Sequence, residues 1–340
     1  MSHPIITAIA SYGMSGQVFH GPLLKINSGF RVKTIMQRSS DSALSVFPDS
    51  KIVRDFNDIL KDKEVELVIV NTPDYLHYEQ AKSALNAGKH VVVEKPFVQT
   101  VEQGEELIEL AQKKGVLLSV FQNRRWDNSF LTVKKVLEEG LIGRLVEYEA
   151  RYNRYRTFIQ DSWKEDGNLG TGILQNLGSH LIDQALVLFG SPKSVSGNLH
   201  AMRDGSKVHD FFDLQLHYPE TSVTLKASYL VREEMPAYML HGVNGSFIKY
   251  GLDPQEEALK NGHLPNEPQW GTDPENLWGL LNSDVSGLHF RGKIETVAGN
   301  YSAYYDNLHQ SIRFGAESAV KPLESLEGIR IIEEVLRKNI

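Results

Sequence analysis

Residues Ser11-Tyr12-Gly13-Met14-Ser15-Gly16 place two glycines three apart, directly after an apolar β-branched run, Ile5-Ile6-Thr7-Ala8-Ile9-Ala10. A strand that feeds a helix through such a turn suits the phosphates of a dinucleotide. The stretch matches the second and third glycines of that fingerprint, with Ser11 in place of the first. Gly13 lets backbone approach a pyrophosphate, and Gly16 lets helix and strand pack closely. The helix start, with Met14 and Ser15 in the turn, offers N–H donors and partial positive charge.

The next strand end selects between cofactors. An NAD site places an acid about 20 residues past the glycines, where it holds the ribose 2′-hydroxyl. Here the strand ends Met36-Gln37-Arg38-Ser39-Ser40, and the first acid is Asp41. Arg38 can clamp a 2′-phosphate with its fork of donors, and Ser39 can add a hydroxyl. NADP is therefore expected, with NAD as the alternative.

Two polar tripeptides, Asn71-Thr72-Pro73 and Glu94-Lys95-Pro96, each follow an apolar strand. The carboxyl ends of strands in an open parallel sheet border the ligand crevice. Asn71, Thr72, Pro73, Glu94 and Lys95 are thus candidate cofactor contacts, and His77 and Asn123 are counted with them. A lysine beside a bound cofactor is partly desolvated, the setting in which an amine becomes chemically useful; a salt bridge to Glu94 is the plainer alternative. Further on, Asn176 and His180 are four apart on an expected helix and share its face. His180-x-x-Asp183 has metal-ligand spacing, but no third ligand lies nearby, so no metal is expected.

The elements that position these residues follow two rhythms. Through residue 122, apolar strands at 5–10, 30–36, 65–70, 90–93 and 116–121 alternate with helical stretches at 17–27, 55–62, 74–87 and 101–114. That alternation means βαβ units on a doubly wound parallel sheet. Beyond it come helices at 129–139 and 174–189, and strand candidates at 145–155, 194–202, 208–217, 221–231, 237–241 and 246–250. Successive strands joined by turns imply a largely antiparallel sheet. Terminal helices are expected at 301–314 and 323–338, and 253–299 shows no clear period. The expected domains are residues 1–122, which bind the dinucleotide, and 123–340, an α/β domain for substrate and oligomerisation.

Composition limits the alternatives. The 340-residue chain has no cysteine, which excludes disulfides, zinc–thiolate sites and thiol nucleophiles. Its net charge of −7 lacks the footprint of nucleic-acid binding, despite the stretch Arg151-Tyr152-Asn153-Arg154-Tyr155-Arg156. The start, Met1-Ser2-His3-Pro4, has no signal-peptide pattern, and no apolar run is long enough to span a bilayer. A cytoplasmic protein without membrane partners is expected.

The glycine turn, Glu94-Lys95-Pro96 and Gly178-Ser179-His180-Leu181-Ile182-Asp183 together resemble the glucose-fructose oxidoreductase/inositol dehydrogenase/rhizopine catabolism family over nearly the whole chain. Gly13-Met14-Ser15-Gly16-Gln17-Val18-Phe19-His20, Asn123-Arg124-Arg125-Trp126-Asp127, Tyr250-Gly251-Leu252-Asp253-Pro254-Gln255-Glu256 and Gly299-Asn300-Tyr301 with Tyr304-Tyr305 look like its NADP-dependent scyllo-inositol dehydrogenase subgroup.

The resemblance implies a Rossmann domain, an α/β domain whose sheet mediates a homo-oligomer (dimer or tetramer), and hydride transfer between nicotinamide and a secondary alcohol of a polyol or sugar. It implies that Lys95 holds the reacting hydroxyl and that His180 is the acid/base. Many members carry aspartate where this chain has Asn176, which can hydrogen-bond but supplies no charge. Arg154, Tyr155, Trp163 and Asn168 are candidate substrate contacts, since polyols need many hydrogen-bond partners and aromatic faces suit sugar C–H surfaces. The alternatives are a cofactor-binding regulator without catalysis, reduction of a keto-sugar or imine, and redox-assisted glycoside cleavage.

Overall fold

The computed structural model describes residues 3–162, 165–167 and 170–339. Its contacts divide the chain into two units: Met1–Asn123 with Gln255–Trp270 and Asn300–Leu326, and Arg124–Pro254 with Gly271–Gly299 and Glu327–Ile340.

The first unit opens with β1 (Ile5–Ile9), α1 (Gly21–Ile26), β2 (Phe30–Met36), β3 (Lys51–Val53), α2 (Phe56–Lys61) and β4 (Leu67–Val70). Then come α3 (His77–Asn86), β5 (His90–Val93), α4 (Val101–Lys114) and β6 (Leu118–Val120). The strands form one parallel sheet in the order β3-β2-β1-β4-β5-β6, with the order reversing at β1. This is the doubly wound Rossmann arrangement, in which ligands bind outside the carboxyl ends at the reversal. β4 is buried at every residue and β5 at three of four, as strands covered on both faces must be.

The helix α4 shows how local chemistry sets the ends. Thr100 accepts a hydrogen bond from the Gln103 N–H, an N-cap worth about 1 kcal/mol. Gly115 closes the helix in the left-handed region at φ +64°, where a side chain would be strained. Between them Val101, Leu107, Ile108 and Ala111 are buried on one face. Leu107→Ala would cost about 2–5 kcal/mol through the cavity it leaves.

The second unit contains α5 (Asn128–Glu138), β7 (Leu145–Arg151), α6 (Ser179–Phe189), β8 (Ser194–His200), β9 (Phe211–His217), β10 (Ser222–Ser228), β11 (Tyr238–Gly242) and β12 (Gly245–Lys249). α7 (Gln255–Lys260) returns to the first unit, and β13 (Gly279–Val285) and β14 (Leu288–Ile294) complete the second sheet. α8 (Ser302–Phe314) belongs to the first unit, and α9 (Pro322–Lys338) ends the chain. The sheet order is β14-β13-β12-β11-β7-β10-β9-β8; only β7 and β10 pair in parallel.

Alternation makes one face of this sheet apolar. Phe212, Leu214 and Leu216 of β9 and Val223, Leu225 and Ala227 of β10 join Leu177, Leu181, Ile182 and Ala185 in one core. The residues between them pair on the other face: Lys226 with Asp213 at 3.1 Å, and Gln215 with Thr224 at 2.8 Å.

Several expectations shift. The strand expected over 145–155 ends at Arg151; beyond it Tyr152, Arg154 and Arg156 still send their N–H groups to Lys226, Ser228 and Tyr229, but Tyr155 makes an isolated bridge with Leu230 instead of a regular pairing. The stretch 253–299 contains α7 and the β13–β14 hairpin. The helices expected over 17–27 and 174–189 each open with a wide π-type turn, Gly16–His20 and Leu174–Gly178. Such turns insert one extra residue and recur at functional sites.

Candidate active site

At the carboxyl ends of β1, β2 and β4 lies a crevice of about 270 Å³, lined by Ser11, Tyr12, Gly13, Met36, Gln37, Arg38, Ser39, Ser40, Thr72, Pro73 and Tyr75 among others. Gly16 allows the turn beside it to close: a Cβ there would stand 2.5 Å from the Ser11 carbonyl oxygen. The Asn71 amide fastens the same turn, donating to the Ser11 carbonyl at 2.7 Å and the Ser15 hydroxyl at 3.2 Å. Met14 stands exposed beside it.

The loop after β2 is built from within. Arg54 donates to the carbonyls of Gln37 at 2.7 Å and Ser40 at 2.8 Å, and pairs with Asp41 at 2.6 Å. The Gln37 side chain donates to the hydroxyls of Ser40 and Ser42 and accepts from the Ala43 N–H. Asp41 is thereby committed to Arg54. Arg38 lies exposed on the crevice and has no ion-pair partner among the described residues.

The loop bearing Lys95 is held from two directions. Glu94 is largely buried, and its two oxygens meet the His20 ring at 3.1 Å and the Lys95 backbone N–H at 3.0 Å. Burial pushes the Glu94 carboxyl up, but the His20 hydrogen bond and the nearby charges of His20, Lys95 and His77 outweigh it, leaving it below the usual range. His77 is buried, with one ring nitrogen 2.9 Å from the Pro96 carbonyl and the other 2.9 Å from the Thr72 carbonyl. It thus links the two crevice loops through their backbones rather than lining the crevice. Burial raises the pKa of the neighbouring Asp74 carboxyl. Asn123, also buried, begins a short turn at the end of this segment.

In the second unit His180 is buried and lines a tight pocket with Arg124, Asp127, Arg151, Tyr152, Gln184, Tyr238 and Asp253. Gln184 organises its wall, donating to the Arg124 carbonyl at 2.9 Å and accepting from the Tyr238 hydroxyl at 2.8 Å. Asp183 receives a two-pronged hydrogen bond from Arg125, at 2.8 and 2.7 Å. Both residues are at least nine-tenths buried, so the carboxylate is spent on that pairing.

Asn176 is half-buried at the π-type turn and donates to the Tyr229 hydroxyl at 3.3 Å. The Tyr229 ring carries two guanidiniums, Arg156 at 4.3 Å and Arg203 at 4.8 Å. Those are paired in turn: Arg156 with Glu165, and Arg203 with Glu165 at 3.0 Å and Asp210 at 2.9 Å. Arg154 is exposed and lies over the Tyr152 ring at 5.3 Å, with Arg124 over the same ring at 5.1 Å. Tyr155 is exposed beneath Arg232. Trp163 and Asn168 lie outside the described residues.

Sequence reasoning passed over Arg54, Gln37, Tyr229, Arg203 and Asp210. Arg54 and Gln37 act within one loop, on its backbone and on Asp41, Ser40 and Ser42, which leaves no motif. Arg203 and Asp210 are seven apart across a turn, and only their burial marks them as a pair.

A family model described as the NAD-binding Rossmann fold of an oxidoreductase family matches residues 5–122, and one for the C-terminal alpha/beta domain matches 134–339. Scyllo-inositol 2-dehydrogenase (NADP(+)) IolW of Bacillus subtilis is 43% identical over 335 residues, covering 98% of this chain and 94% of that protein. The uncharacterized oxidoreductase YdgJ of Escherichia coli is 37% identical over 333 residues, covering 98% and 96%. Among solved structures, the candidate oxidoreductase yvaA of Bacillus subtilis superposes with a TM-score of 0.94 at 42% identity, covering 98% of this chain and 95% of that one. Among the described residues no helix is long and apolar enough to cross a membrane.

Proposed function

The chain belongs to the glucose-fructose oxidoreductase/inositol dehydrogenase/rhizopine catabolism family of oxidoreductases, and on that premise we propose that it transfers a hydride between NADP(H) and a secondary alcohol or ketone of an inositol-like polyol or sugar. The observation that carries the cofactor choice is the committed Asp41 beside Arg38, which lines the crevice with no ion-pair partner among the described residues. An acid held by Arg54 is poorly placed to accept from a ribose 2′-hydroxyl. A guanidinium and the Ser39 hydroxyl suit a 2′-phosphate.

When bound, the nicotinamide cofactor accepts or supplies the hydride. Gly13, Met14, Ser15 and Gly16 offer a turn that backbone N–H groups and phosphates can share. Thr72 and Pro73 wall the crevice, and Asn71 and His77 hold its loops. Lys95 holds the substrate hydroxyl and stabilises the alkoxide as it develops. His180 takes the proton in oxidation and returns it in reduction. Asn176, Arg154 and Tyr155 contribute hydrogen-bonding groups on the substrate side. The relative named as an NADP-dependent scyllo-inositol dehydrogenase supports both the cofactor and the substrate class.

A spectrophotometric screen of the purified protein with NADP⁺ and NAD⁺ against inositols and aldoses tests this reading. Turnover of a cyclic polyol with preference for NADP⁺ is expected. Tight NADPH binding with no turnover of any polyol or aldose would reject the catalytic reading.

A further inference from the structure

His20 and Tyr305 stand 285 residues apart in sequence, and both are 0% exposed. They meet in the first unit at 2.6 Å, between the His20 Nδ1 and the Tyr305 hydroxyl. The opposite ring nitrogen, Nε2, lies 3.1 Å from Glu94 Oε1. The other carboxylate oxygen, Oε2, accepts the backbone N–H of Lys95 at 3.0 Å. A continuous chain of polar contacts thus runs from the phenol through the imidazole and the carboxylate to the lysine backbone.

The chemistry of each member fixes most of the directions. An ionised carboxylate only accepts, so Nε2 donates to Glu94 and Lys95 N–H donates to its other oxygen. The second imidazole nitrogen is then satisfied by the Tyr305 hydroxyl. Phe121 packs against the His20 ring at 4.4 Å, and the imidazole and the phenol are both wholly buried. A buried polar group without a partner costs about 1–3 kcal/mol, so each link disfavours rotation of the next.

The wide turn over Gly16–His20 is what aims the imidazole. Its extra residue shifts the phase of the helix by about one position relative to a regular α-helix. The turn that begins at the nucleotide crevice therefore ends on the loop that carries Lys95.

We propose that Tyr305 and His20 are positioning residues for Lys95, acting through Glu94: they hold its carboxylate in the one orientation that fastens the lysine's own backbone. This rests on the reading of Lys95 as the residue that holds the reacting hydroxyl. A simple packing role would need the ring shapes alone; a positioning role needs the donor on Nε2 and the phenol oxygen.

Three variants separate these roles: Tyr305→Phe, His20→Leu and His20→Gln, the last keeping an N–H for Glu94. Each is first checked for folding by thermal unfolding and for NADPH binding by fluorescence. Pulse labelling with acetic anhydride, read by mass spectrometry on the Lys95 peptide, then reports the lysine independently of turnover. His20→Leu is expected to change the Lys95 labelling rate relative to the other lysines. It should also lower kcat about tenfold, the scale of one lost hydrogen bond to a charged group, with the KM for NADP nearly unchanged. His20→Gln should recover most of both, and Tyr305→Phe should fall between.

Equal losses in His20→Leu and His20→Gln would reduce the chain to packing and overturn the proposal. So would unchanged labelling in His20→Leu. If His20→Leu does not fold, the comparison of Tyr305→Phe with wild type decides, and unchanged labelling there overturns it. Altered labelling in a protein that binds NADPH but turns over no polyol would uphold the positioning role and reject the proposed reaction.

Discussion

Replacing Arg38 by alanine should convert a preference for NADP into near-indifference between the two cofactors. Arg38 lines the crevice, is exposed, and has no carboxylate partner among the described residues, so its charge is available to a ligand. A hydrogen bond to a charged group is worth about 1.5–3 kcal/mol net. The rim position favours the lower end, because salt at physiological strength screens exposed charges over about 8 Å. A net effect of about 1.5–2 kcal/mol corresponds to a 10- to 30-fold drop in kcat/KM for NADP. The value for NAD should change less than about twofold, since it lacks the 2′-phosphate that the guanidinium would meet. Arg54→Ala is the contrasting variant. It removes the donor to the Gln37 and Ser40 carbonyls and the partner of Asp41, so it should weaken both cofactors together. The assay is initial-rate kinetics with both cofactors at two ionic strengths, higher salt narrowing the wild-type preference. An Arg38→Ala enzyme that loses NADP and NAD activity equally, or loses neither, would refute the reasoning.

His180→Ala should lower kcat by at least about a hundredfold, the usual scale for a general acid/base, while fluorescence titration finds NADPH affinity unchanged; undiminished turnover would remove it from the proton-transfer role. Asn176→Asp should move the pH–rate profile or raise kcat, and identical profiles would show that the position is not coupled to the chemistry. Asp210→Asn should cost about 3–5 kcal/mol, seen as a lowered unfolding midpoint, because it leaves the buried Arg203 short of a counter-charge. Burial pushes the Asp210 carboxyl up, but hydrogen bonds from the Met202 and Arg203 N–H groups and the Arg203 side chain outweigh it and hold it low. A carboxyl held low contributes stability above the ordinary carboxylate range and loses it as the pH falls below about 4. The asparagine variant should therefore show a shallower loss of stability in acid, measured by denaturant unfolding across that range.

Legibility of the fold followed burial. β4 and β5 read as continuous apolar runs because helices cover both faces of their sheet, and the alternation of β9 records a sheet with one face in the core. β14 left no trace because its first four residues are all exposed, so no buried face imposed a period. β3 is three residues long, too short for any period. A period of 3.6 cannot register the one extra residue in each of the two π-type turns, although those turns set the direction of His20 and precede His180. Local pattern carried Lys95 and His180 because each sits in a short motif. It carried nothing about Tyr229, which reaches Asn176 across 53 residues; Tyr305 and His20 stood in motifs of the resemblance, but nothing in either stretch says that the two meet.

The same limit governs how Asn176 is to be understood. Read along the chain, it is a position where a carboxylate is missing. Around Tyr229, however, two guanidiniums, Arg156 and Arg203, already meet two carboxylates, Glu165 and Asp210, and the formal charges cancel. An amide beside that group can donate to the phenol, as Asn176 does. An ionised aspartate could only accept, so the phenol would have to turn its proton toward it, and the group would carry a net negative charge in a partly buried place. The asparagine therefore belongs with the charge balance of the four residues around Tyr229. Restoring an acid there changes two things together, the charge near the helix of His180 and the direction of the Tyr229 hydrogen bond. Pairing Asn176→Asp with Tyr229→Phe separates them: a pH–rate shift that survives removal of the phenol oxygen arises from the charge, and one that disappears arises from the hydrogen bond.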